Sequence, residues 1–259
     1  MMTDDEALAQ LAQHGPAGLP PFDRWFGSDG YPVPLLVSEP MAPPAAVAAW
    51  EQLDAARDVL GLHPVLTGPD PLPIVGALDL GELAAHAARA AAICADAAAI
   101  DVPALLEERG RRIGLVRPDP SAIASAAPPP DPTGGRRSGM PMRAHGPFDR
   151  PEVLTLDDVD LLLVGGPREQ VAAHLQIAAG SDPPAVHAAV LRHLEQRFGA
   201  TLFHACERRL TLRLPSPLTD PAELAEAYWS CALYAGGEVS SDPARVALIA
   251  GRYWLLAWG

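Results

Sequence analysis

The chain has 259 residues, 49% of them hydrophobic, and a formal net charge of −13. That length allows one large domain or two small ones with a real core. The acidic balance removes the general attraction for phosphate backbones and anionic lipid, so neither nucleic acid nor a membrane surface is an expected partner.

The three cysteines, Cys94, Cys206 and Cys231, are widely spaced and form no CxxC pair, which fits a reduced compartment. The start, "MMTDDEALAQ", has no basic-then-apolar signal. The most apolar run, "AARAAAICADAAAI", is interrupted by Arg89 and Asp96 and followed by Asp101, too polar and too short to cross a bilayer. A cytoplasmic protein is expected. The basic runs "RGRR" at 109–112 and "GRRSG" at 135–139 are read as solvated helix-end and loop charge.

In chain order, the first forty-odd residues are rich in Pro and Gly, and Trp25, Phe26 and Tyr31 suggest a segment that docks on the rest. "PLLVS" reads as a short edge strand, where proline is tolerated. Val47, Trp50, Leu53 and Leu60 recur near the helical period over 45–60, with Gly61 as the stop. "HPVLTG" reads as a strand, 79–99 as an alanine-rich helix, and Asp101 with Pro103 as the start of another. Residues 117–150 show no period and are read as a flexible linker or loop. "DVDLLLVGG" reads as a buried strand. Val186, Val190, Leu191, Leu194 and Phe198 form one face of a helix that opens at Asp182-Pro183 and ends at Gly199. A hairpin pairs 201–206 with 210–214. "TDPAE" caps a following helix at Asp220, "SDPA" at 241–244 opens another, and "YWLLAW" is a closing buried strand. The expected fold is α+β, a mixed sheet flanked by helices with a long Pro/Gly-rich insertion. It divides into an N-terminal α/β part over 1–116, the linker at 117–150, and a C-terminal α+β domain over 151–259.

Chemistry is sought first in the hairpin, where His204 and Cys206 lie two apart on one strand face with Glu207 beside them. Alternate strand residues stand side by side, and a lone cysteine is more often a small buried hydrophobe, so a packed hairpin face competes with a catalytic pair. Cys231 on the next helix is read the same way. Gly165, Gly166 and Arg168 after a strand resemble an anion nest, but the Walker lysine and the GxGxxG spacing are missing, and a tight turn is the plainer reading. His187 and His193 face different ways on one helix, and no HExxH exists; no metal and no cofactor is expected. Tyr228, Trp229, Tyr234, Tyr253, Trp254 and Trp258 crowd the end of the chain as core or as a contact patch.

The pieces "PAVHAAVLRHLEQRFGATL", "LTLRLPSPLTDPAELAEAYWSC" and "YWLLAW", in that order, make the stretch 161–258 resemble the domain of unknown function 4253 family of bacterial proteins. "LGLHPVL" at 60–66 resembles the family's segment before its first long helix. The departures are in the polar positions. The family's Gly-Trp-Asn segment is replaced by "AGSDPP". Its Cys-Pro-Asp turn is "SCALYAGG", which keeps Cys231 without the acid. The terminal Trp-Trp-Asp becomes Ala257-Trp258-Gly259. The family has no assigned reaction, so the resemblance implies a fold more than a function.

With no complete catalytic set, the expected function is a non-catalytic binding or interaction module whose partner is another protein. The alternative is an enzyme of open class, hydrolysis included, with its site near the 201–214 hairpin or the 165–168 turn.

Overall fold

The structure is a computed structural model that describes residues 2–25, 31–68, 80–126, 156–178, 181–206, 209–235 and 251–258. In chain order these form α1 (Asp4–His14), β1 (Phe22–Arg24), β2 (Leu35–Ser38), α2 (Pro43–Leu60), β3 (Leu62–Thr67), α3 (Leu80–Ala98), α4 (Val102–Arg112) and α5 (Pro120–Ala126). Then come β4 (Asp160–Gly165), α6 (Val171–His174), α7 (Pro184–Phe198), β5 (Thr201–Cys206), β6 (Arg209–Arg213), α8 (Pro221–Ala235) and β7 (Tyr253–Ala257). The expected α+β class is the observed one.

The strands make one mixed sheet in the order β1-β2-β4-β3-β5-β6-β7, antiparallel except where β3 runs beside β5. β4 lies between β2 and β3, so the parts of the chain before and after the insertion interleave in a single sheet. A strand with neighbours on both sides and helices on both faces needs apolar residues throughout. β4 has them: Leu161, Leu162, Leu163 and Val164 are all buried.

On one face Leu36, Leu66, Leu161, Leu163 and Phe203 meet Ala46, Trp50 and Leu53 of α2. On the other, Val65, Leu162, Ala205, Leu210 and Leu212 meet Ala189, Val190 and Leu194 of α7. An outer layer follows on that second side: α3 packs on α6 and α7, α4 on α7 and α8, and α5 on α8. Gly61 and Gly199 end α2 and α7 in the left-handed conformation, at the predicted stops.

Four readings are corrected. β2 is not the edge strand, because β1 pairs outside it. The N-terminal segment contains α1, closed by a capping box in which Thr3 and Glu6 satisfy each other's amides. Within the stretch read as linker, α5 forms, with Asp119 accepting from the Ser121 amide and Ile123 buried against Leu224 and Tyr228. Residues 127–150 and the helix expected from 241 lie outside the described residues. "RGRR" is not all surface charge: Arg109 makes two hydrogen bonds to Asp182, at 2.6 and 2.9 Å, and so ties α4 to the start of α7.

Candidate functional site

A bulge governs the hairpin. Leu202 faces Leu212 and Ala205 faces Leu210, which leaves both Phe203 and His204 opposite Thr211. Alternation from Leu202 puts Phe203 on the α2 side, against Trp50 and Tyr253, and the bulge resets the alternation from His204 onward. His204 is only 4% exposed, and neither of its ring nitrogens has a hydrogen-bond partner. Burial, with Arg209 adding to it, pushes its pKa down to about 4, so the ring is neutral at neutral pH. Cys206 is half-buried at the strand end, and Glu207 lies outside the described residues. Cys231 is buried in α8, where burial pushes its thiol up to about 12. A thiol held protonated is a poor nucleophile. His204, Cys206 and Cys231 line neither of the two cavities described next.

The Gly165-Gly166 turn is shaped by a neighbour. The Gly165 amide donates to the Pro34 carbonyl at 2.8 Å, and a Cβ on Gly165 would fall 2.3 Å from Pro34 Cδ. Gly166 has φ +92°, and its carbonyl accepts from His63 Nε2 at 3.0 Å. Its first amide is thus taken, and only a three-residue 3-10 turn (Arg168–Gln170) and the four-residue α6 follow, which favours the tight turn over the anion nest. Arg168 turns away to pair with Glu195. This pair borders a cavity of about 40 Å³ where β3 and β5 have yet to meet. Pro64 lies at that gap. It has no N–H to offer β5, and its carbonyl accepts from Trp50 Nε1 at 2.8 Å. Burial lowers the Arg168 pKa and raises that of Glu195, so desolvation outweighs their attraction in both.

A larger cleft, about 870 Å³, crosses the end of the sheet where β4 stops and β2 and β3 begin. α3 builds one wall. Leu83, His86, Ala90, Ile93 and Ala97 point into the core, and the adjacent stripe Ala87, Ala91 and Cys94 lines the cleft. Val33, Pro34, Gly166 and Pro167 form the floor, and Gln10 with the end of α2 closes the far side. Val59, 67% exposed, stands on the rim.

His174 forms the inner wall and is 5% exposed. Its Nδ1 lies 3.1 Å from the Tyr31 hydroxyl, its backbone carbonyl accepts from His86 Nε2 at 3.0 Å, and its Nε2 is buried without a partner. Burial, and then His86, pushes the His174 pKa down to about 4, while burial raises the Cys94 thiol and the Tyr31 hydroxyl. Asp58 is the single charged residue of the lining. Sequence reasoning missed this site. The small-residue stripe 87, 91, 94 was its one legible trace; His174 comes from a four-residue helix with no periodic signal.

Among the described residues no group of three or more His, Cys, Asp or Glu could hold a metal, and no helix is long and apolar enough to cross a membrane. Compared with known proteins, the chain matches no family model, no curated protein and no solved structure.

Proposed function

We propose that this chain is a non-catalytic binding protein that takes its partner in the cleft at the end of the sheet. The observation that carries the proposal is the character of that cleft: about 870 Å³, walled mainly by apolar side chains, with a few neutral polar groups. Sites for small molecules have that size and lining. Cys94 and His174 share the cleft, but burial drives the thiol up and the ring down. A cysteine nucleophile needs the reverse, a thiolate beside a basic or charged imidazole. The order helix, Gly-Ala, strand, strand, helix, strand supports the resemblance to the domain of unknown function 4253 family, and membership is part of the same proposal.

Thermal-shift profiling of a chemically diverse panel against the wild type and Ala91→Phe, which puts a ring into the cleft and narrows it, tests it. Compounds that stabilise the wild type and not the variant, and that are recovered unchanged, are expected. Compounds that stabilise both equally, or that are turned over, contradict it.

A further inference from the structure

We infer that the ligand of this cleft is a small, uncharged, mainly apolar molecule carrying one hydrogen-bond acceptor for His174 and one donor for Gln10. The inference rests on the binding role proposed above and adds the ligand's chemistry.

Its polar demands come from two orphaned atoms of residues that line the cleft, His174 Nε2 and Gln10 Oε1. Both are buried just behind its surface and without a partner among the described residues, so a ligand pairs with them after a small side-chain rotation. The ring's proton can be placed. The Tyr31 hydroxyl stays protonated, and His174 Nδ1 is its one acceptor among the described residues. With the hydroxyl assigned as donor in that pair, Nδ1 accepts and the proton of the neutral ring is assigned to Nε2. Among the described residues the lining thus holds one unpaired N–H donor, at His174, and one unpaired carbonyl acceptor, at Gln10. Leaving such groups unpaired out of water is costly, and a ligand that satisfies them recovers that cost.

The lining also sets the charge. Among the described residues it holds no lysine or arginine to match an anion, and Asp58 repels one. The rest, Val33, Val59, Leu60, Ala87 and Ala91 among it, asks for an apolar body.

Four probes separate the elements: 4-hydroxyacetophenone (carbonyl acceptor and hydroxyl donor), acetophenone (carbonyl acceptor without the hydroxyl), 4-ethylphenol (hydroxyl without the carbonyl acceptor) and 4-hydroxybenzoate (anionic). Affinities are read by isothermal titration on the full chain. Occupancy is read by protection of Cys94, half-buried in the same cleft, from N-ethylmaleimide. 4-Hydroxyacetophenone is expected to bind roughly tenfold tighter than either single-group probe and to protect Cys94, while the benzoate does not bind. In His174→Phe the advantage over 4-ethylphenol disappears. Tyr31→Phe, which keeps the ring but frees its tautomer, loses part of it.

Equal affinities of the three neutral probes with Cys94 protected overturn the polar rule and leave the cleft as a binding place. Binding without protection of Cys94 overturns the cleft reading itself. Failure of every neutral probe to bind, or tightest binding of the benzoate, overturns the ligand class. Protection of Cys94 without probe that is lost on dilution assigns the cleft to a second copy of the chain instead.

Discussion

Two buried histidines sit toward opposite ends of the same sheet, and they differ in what surrounds them. His204 lies on β5 beside Leu66, near the end of β3, with both nitrogens unpaired among the described residues and its ring lining neither of the two cavities. His174 lies where β3 begins, with one nitrogen held by Tyr31 and its ring forming part of an 870 Å³ cleft. Burial pushes both to a pKa of about 4, so electrostatics alone does not tell them apart. Space and partners do. A buried imidazole that lines neither cavity is a cost borne by the scaffold, and one beside a cleft is available for recognition.

The largest expected effect breaks both histidines at once. Each folded pKa, about 4, lies below the ordinary 6.5, so the neutral rings favour the fold above pH 6.5. That contribution is lost as pH falls from 6.5 through about 4. Each ring accounts for roughly 3 kcal/mol at the acid end. Urea unfolding across this range measures it, and His204→Leu is expected to remove about 3 kcal/mol of the acid-side loss. The shares of His174 and of His63, His86 and His193, whose pKa values burial also lowers, are left.

Next in size, the two substitutions to leucine diverge at neutral pH. His174→Leu strands the Tyr31 hydroxyl and is expected to cost about 1–3 kcal/mol, whereas His204→Leu removes a group with no partner and is neutral or stabilising by up to about 1 kcal/mol. Equal losses at the two positions would erase the distinction. Smaller still is Ala91→Phe, expected to change stability by under about 0.5 kcal/mol because its position faces the open cleft. The smallest effect is in thiol labelling of the native protein: Cys94 and Cys206, half-buried, react before Cys231, which waits for unfolding.

Much of the scaffold was legible because its signals are local. The glycine stops at 61 and 199, the Asp101 cap, and the row Leu210, Leu212, Leu214 each follow from a few neighbouring residues. α1 carried a signal of the same kind, Thr3 with Glu6, masked by the Pro/Gly-rich stretch behind it. α5 carried only Asp119-Pro120 and one large apolar side chain, Ile123, whose burial depends on α8 a hundred residues away. The cleft was not legible. It exists because β4 inserts between β2 and β3 and brings Gly166 and His174 beside Pro34 and Cys94, residues that no local pattern joins. The hairpin drew attention for its residue types, and the bulge that buries His204 has no mark in the sequence.

Hydrogen–deuterium exchange with and without 4-hydroxyacetophenone tests the central claim most directly. Slowed exchange is expected in 31–35, 87–94 and 166–175, around the cleft, with 201–213 unchanged. Slowing confined to the hairpin, with the cleft segments unaffected, would contradict it.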